Sequence, residues 1–170
     1  MYDFKPQAGA DAAIVWEDML SAVDGVTRGE TDPIANMANV AALLWESLPE
    51  LNWAGFYRNI GGELVLGPFQ GRPACIRIPF GKGVCGAAAE SREPQLVADV
   101  NEFPGHIACD AASRAELVVP IVRGDLLIGV LDLDSPTPGR FGKEDEEGCV
   151  ILIQRLAERL AGMEKVVFQG

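Results

Sequence analysis

Near residue 53 the spacing of apolar side chains changes from helical to alternating, and near residue 144 it changes back. Before the change, Ala13, Trp16, Met19, Leu20 and Val23 recur at helical spacing over residues 9–23. A turn over residues 25–32 ends in Thr31-Asp32-Pro33. Asp accepts from the exposed N–H groups at a helix start and Pro suits the first turn, so a second helix begins here. Its apolar face is Met37, Val40, Ala41, Leu44 and Leu48, and Pro49 ends it. Residues 53–59 and 63–68 then alternate around Gly61-Gly62, the pattern of a hairpin. Residues 75–78 and 95–99 are short strands, with a short helix over 87–91 between them. Residues 115–122 and 126–134 form a second hairpin through Arg123-Gly124-Asp125, and a long helix follows over 144–163. Hairpins bracketed by helices predict an α+β fold around an antiparallel sheet.

Composition narrows the partners. A chain of 170 residues buries roughly 69% of its surface on folding, enough for one self-supporting core. Residues 1–165 are expected to form one domain. Residues 166–170 read equally well as native sequence or as the remnant of a protease-cleavage site, so they carry no functional argument. The net charge of −11, with no basic cluster, argues against nucleic acid as a partner. No run of 18 apolar residues exists to span a membrane, and the first residues have neither the basic nor the apolar region of a secretory signal. The expectation is a cytoplasmic protein.

There are four cysteines: Cys75, Cys85, Cys109 and Cys149. Cys149 lies in an apolar helical run and is expected to be inert and buried. The other three fall in Gly- and Pro-rich segments, and Cys109 shares residues 101–113, a long irregular stretch, with His106. One reading is zinc bound by Cys75, Cys85, Cys109 and His106. No two of the cysteines have the close spacing of a zinc knuckle, and His106-x-x-Cys109 alone is a weak signal, so no metal is expected. The other reading is redox chemistry, which needs an attacking thiolate and a second thiol to resolve the product. Glycine-flanked Cys85 and loop-borne Cys109 have the freedom a disulfide demands.

Two further groups carry chemistry. Asp132 and Asp134 lie on one face of a strand by period-2 alternation, and Glu116 opens the neighbouring strand. Such a face is either solvated or holds an ammonium or metal ion, since like charges repel unless they share a cation or one keeps its proton. In 52–57, Asn-Trp-Ala-Gly-Phe-Tyr, alternation puts Trp53 and Tyr57 on one face and Phe56 on the other. Aromatics in strands are core by default, yet this pair could also wall a pocket for a methyl, a thioether or a cation.

Taken together, NWAGFY (52–57), LGPFQGRPACIRIPFGKGVCGAAA (66–89), FPGHIACDAAS (103–113), SRAELVVPI (113–121) and GVLDLDSP (129–136) resemble the free methionine-(R)-sulfoxide reductases, which use a GAF fold. The resemblance spans about residues 33–160. It implies a six-stranded antiparallel sheet with helices packed on it, long terminal helices and a homodimer formed through them. It also implies reduction of free L-methionine (R)-sulfoxide to methionine, with no bound cofactor and with thioredoxin, fed by NADPH, as reductant. Cys109 is similar in position to the family's nucleophile, with Cys75 and Cys85 as alternative resolving thiols. Trp53, Tyr57, Glu116, Asp132 and Asp134 match its substrate contacts.

The residues make sense of that chemistry. A sulfoxide sulfur becomes electrophilic when its oxygen is protonated, and a carboxyl of raised pKa among Glu116, Asp132 and Asp134 would supply the proton. Carboxylates left ionised would hold the substrate ammonium, a group that peptide-bound methionine lacks. The same acidity disfavours a Cys109 thiolate, against which His106, Arg114 or a helix N-terminus are the available positive groups. The rival class is a non-catalytic GAF domain that senses a small molecule.

Overall fold

The computed structural model describes residues 12–105 and 112–160. Among these, α1 (Ala12–Val26) and α2 (Pro33–Ser47) precede the hairpin β1 (Trp53–Ile60) and β2 (Glu63–Gly71). The chain continues through β3 (Arg77–Pro79), α3 (Gly83–Ser91), β4 (Gln95–Val97) and a 3-10 turn (Val100–Glu102). It ends with β5 (Ala115–Arg123), β6 (Leu126–Ser135) and α4 (Lys143–Ala157). The strands form one six-stranded sheet in the order β3-β2-β1-β6-β5-β4, and every pairing is antiparallel. No helix among the described residues is long and apolar enough to cross a membrane.

Alternation along the strands gives the sheet two buried faces. Phe56, Leu117, Val119, Ile121, Leu131 and Leu133 point into a core closed by α1, α2 and α4. Trp53, Tyr57, Val118 and Val130 point the other way, into a smaller core closed by α3. Trp53 and Tyr57 therefore share a face opposite Phe56, as their spacing predicts. Cys149 is fully buried in the helical core, also as expected.

Helix α2 starts where the cap signal puts it. Asp32 lies at the N-cap, and its carboxylate accepts from Ala35 N–H at 2.8 Å. Helix α1 runs one turn beyond the expected Val23, because Val26 still packs on the helical core. Thr27 closes that end by donating from its hydroxyl to the Val23 carbonyl at 2.7 Å. The expected start of that helix, residues 9–11, lies outside the described residues.

The largest departure concerns α3, which begins at Gly83 rather than at Ala87. Gly86 within it is a packing position. A Cβ on Gly86 would sit 2.5 Å from the Pro79 carbonyl oxygen, so only glycine lets the helix approach β3 this closely. Cys85 is consequently helical, not on a loop. Strand β3 begins two residues later than expected, which leaves Cys75 and Ile76 on the segment leading into it. Helix α4 begins one residue early and ends at Ala157, and the expected residues 161–163 lie outside the described residues.

Candidate active site

The site is assembled on the α3 face by β1, β5 and β6, whose register sets its geometry. Glu116 on β5 stands opposite Asp134 on β6, and Asp134 stands opposite Trp53 on β1. Asp132, two residues back on β6, is flanked by Val118 and Gly55. The three carboxylates proposed from alternation thus share a face. Glu116 and Asp132 are buried, whereas Asp134 is half-buried.

Helix α3 lowers Cys85 onto this acidic face. The Cys85 thiol donates to Glu116 Oε1 with an Sγ···O distance of 3.8 Å. One ligating atom from each of Cys85, Glu116 and Asp132 lies within 4.8 Å of the others. Asp132 Oδ1 is buried and makes no hydrogen bond with the described residues. A buried polar atom of this kind is costly to leave unsatisfied, which makes Asp132 a candidate contact for a bound group.

Burial decides the protonation of the cluster. It pushes Asp132 up from the usual carboxylate range to about 7, against the Cys85 hydrogen bond that favours the ionised form. Burial also raises Glu116, with Asp132 and then Asp134 adding to the effect. Two carboxyls this close and this dry keep a proton between them near neutral pH. Burial and the same carboxylates hold the Cys85 thiol well above its ordinary value, so it remains a thiol.

An aromatic wall stands beside the acids. The rings of Trp53 and Tyr57 are stacked at 5.7 Å, and Phe69 from β2 also stacks on Trp53, at 5.3 Å. Gly55 makes room for this stack. A Cβ there would lie 2.4 Å from Phe69 Cβ and 2.8 Å from the Trp53 indole. Neither Gly55 nor Phe69 was among the residues expected from sequence. The available signal was a lone glycine inside a strand, which marks a close approach of other atoms.

The wall also holds the segment that carries Cys75. Trp53 Nε1 donates to the Arg72 carbonyl at 3.1 Å, and Tyr57 Oη donates to the Cys75 carbonyl at 3.1 Å. Cys75 is disulfide-bonded, while Cys85 and Cys149 are free thiols. In this disulfide form Cys75 offers no thiolate to a metal. Cys109 and His106 lie outside the described residues. Arg114, one of the three positive groups considered for Cys109, is paired with Asp99 at 2.6 Å, and that guanidinium holds the Asp99 carboxyl down at about 2. With Val100 N–H donating to the Arg114 carbonyl at 2.7 Å, this pair ties together the two ends of the segment between residues 99 and 114.

An antiparallel sheet of this order, with three helices on one face and a short helix on the other, has the architecture of a GAF domain. The GAF domain family model matches residues 4–162. The protein YtsP of Bacillus subtilis is 50% identical over 163 residues, covering 95% of this chain and 99% of that protein. The free methionine-R-sulfoxide reductase of Escherichia coli is 49% identical over 146 residues, covering 86% of this chain and 88% of its own length. An X-ray structure of the free methionine-R-sulfoxide reductase from Neisseria meningitidis in complex with its substrate superposes with a TM-score of 0.91 at 40% identity, covering 97% of this chain and 99% of that one. The chain belongs to the GAF domain family and, within it, to the free methionine-R-sulfoxide reductases.

Proposed function

We propose that the protein reduces free L-methionine (R)-sulfoxide to L-methionine, with Cys109 as the attacking thiol and Cys75 as the resolving thiol. The observation that carries this reading is the buried carboxyl pair Glu116–Asp132 beside the Trp53–Tyr57 wall that holds the Cys75 segment. The wall encloses the methyl and thioether end of the substrate. Asp134 and the ionised member of the pair hold its ammonium, and the protonated member faces the sulfoxide oxygen.

The Cys109 thiolate attacks the sulfoxide sulfur while the protonated carboxyl gives its proton to the oxygen. Methionine leaves, and Cys109 carries the oxygen as a sulfenic acid. The Cys75 thiol displaces that oxygen as water and closes a disulfide. Thioredoxin, itself reduced through NADPH, returns both sulfurs to thiols by exchange, and no bound cofactor is needed. Two facts support Cys75 over Cys85 as the resolving thiol. Cys75 is disulfide-bonded, whereas Cys85 is a free thiol buried in α3 and hydrogen-bonded to Glu116. The same reading takes the protein to be a cytoplasmic homodimer, and the exposed Ile34 and Trp45 on α2 and Ile151 on α4 suit such an interface.

Thioredoxin-coupled NADPH oxidation tests the reading, with free methionine (R)-sulfoxide set beside the (S)-epimer and an N-acetylated analogue. Turnover of the free (R) form alone is expected, and Cys109→Ser should abolish it. Binding without turnover under reducing conditions would replace the enzyme with a small-molecule sensor.

A further inference from the structure

A disulfide that is used catalytically has to be met from outside by a two-electron reductant, and the surface around Cys75 indicates where that reductant sits. Ile76, the next residue, is 69% exposed, the most open of the large hydrophobic side chains among the described residues. An isolated exposed isoleucine needs no explanation, but this one adjoins the disulfide-bonded sulfur. Its backbone is not loose. The Ile76 carbonyl accepts from Leu66 N–H at 2.9 Å, and the hydrogen bond from Tyr57 to the Cys75 carbonyl fixes the residue before it. Ile76 is thus presented on an ordered segment at the open edge of the sheet, where β3 is the last strand.

Charge sets this segment apart as well. The chain as a whole carries −11, yet residues 64–89 contain no Asp or Glu and carry Arg72, Arg77 and Lys82, all exposed. Arg77 pairs with Glu63 at 2.9 Å. A locally basic rim favours approach of an acidic partner and disfavours the symmetric contact that would set this rim against itself in a second copy of the chain.

We infer that Ile76, with Arg72 and Lys82 at its rim, is the docking surface for an acidic dithiol protein that reduces the Cys75 disulfide. The inference rests on the reading of that disulfide as catalytic. A thiolate of the docked protein attacks Cys75 Sγ and forms a mixed disulfide. The sulfur formerly bonded to Cys75 leaves as a thiolate and takes up a proton. The second thiolate of the partner then displaces Cys75, which is protonated in turn. Two electrons and two protons have passed to this chain, and the partner ends as a disulfide. The Ile76 side chain packs beside the partner's dithiol during both steps, while a small dithiol makes no use of it.

The test is the rate of reduction of the protein in its disulfide form, which needs no sulfoxide. Reduced thioredoxin and dithiothreitol serve as the two reductants, applied to the wild type, Ile76→Asp and Ile76→Leu. Ile76→Asp should slow reduction by thioredoxin about ten-fold or more, because a carboxylate cannot replace the apolar packing of isoleucine against the partner. Reduction of the same variant by dithiothreitol should be unchanged. Ile76→Leu should behave as the wild type, and added salt should slow only the thioredoxin reaction. An unchanged thioredoxin rate in Ile76→Asp would overturn the inference. Equal slowing with both reductants would also overturn it, as would an altered sedimentation coefficient that marks Ile76 as a contact between copies. Sulfoxide turnover is assayed separately, so failure of the proposed activity and failure of the docking surface give different results.

Discussion

Replacing Asp132 by asparagine separates the electrical cost of the acidic cluster from its shape. Asp132 is 5% exposed, and burial raises its pKa from the ordinary 3.8 to about 7. Between those values the unfolded chain is ionised while the folded chain keeps the proton. The folded state therefore binds more protons, and stability falls as pH rises until it levels off above about pH 7. About three pKa units correspond to about 4 kcal/mol over the whole window, of which about 3 kcal/mol falls between pH 5 and pH 9. Asp132→Asn removes this slope. It also removes a charge that raises Glu116, which moves the remaining carboxyl in the same direction. Urea unfolding of the reduced proteins at pH 5, 7 and 9 reads the effect directly. The midpoint of Asp132→Asn should gain on the wild type by about 1 to 2 M over that range, for an m-value of about 2 kcal/mol/M. Parallel midpoints would show that Asp132 is ionised at little cost in the folded state, and the shared proton would have to be abandoned.

The same geometry makes three further predictions. Cys85→Ser, treated with one equivalent of substrate, should still form its disulfide and give no dimedone adduct, whereas Cys75→Ser should be trapped as the sulfenic acid; mass spectrometry distinguishes them, and the reverse pattern would make Cys85 the resolving thiol. Gly55→Ala should cost about 1–3 kcal/mol through overpacking against Phe69 and Trp53 and raise KM more than it lowers kcat, as read by thermal melting and steady-state kinetics. Millimolar EDTA should leave turnover unchanged, and lost activity restored by a divalent cation would assign a metal to the Cys85, Glu116 and Asp132 donors.

Some of the site was legible because strand alternation is written directly into the order of residues. Trp53 and Tyr57 opposite Phe56, and Asp132 with Asp134 beside Glu116, needed only the period of a strand and a hairpin turn. What the sequence concealed depends on contacts between distant segments. Glycines at 81, 83 and 86 suggested a loop, yet Gly83 and Gly86 lie within α3, which packs on β3 and carries Cys85 to Glu116, 31 positions away. Phe69 and Gly55 meet only because β2 pairs with β1, where the register shifts beyond Gly55. The ion pair of Arg114 with Asp99 joins side chains 15 positions apart, and no local pattern announces it.

The two faces of the sheet divide labour in a way that bears on how such a protein can change. The α3 face buries the carboxyls of Glu116 and Asp132, groups that oppose folding, whereas the core under α1, α2 and α4 buries no carboxyl among the described residues. Neighbouring residues on β5 and β6 serve opposite ends, with Leu117 and Leu133 anchoring the fold one position along the chain from Glu116 and Asp132. Volume-conserving repacking of the helical face can therefore raise thermal tolerance and leave the acid–thiol cluster alone, which makes that face the natural ballast against which the chemistry of the other can drift.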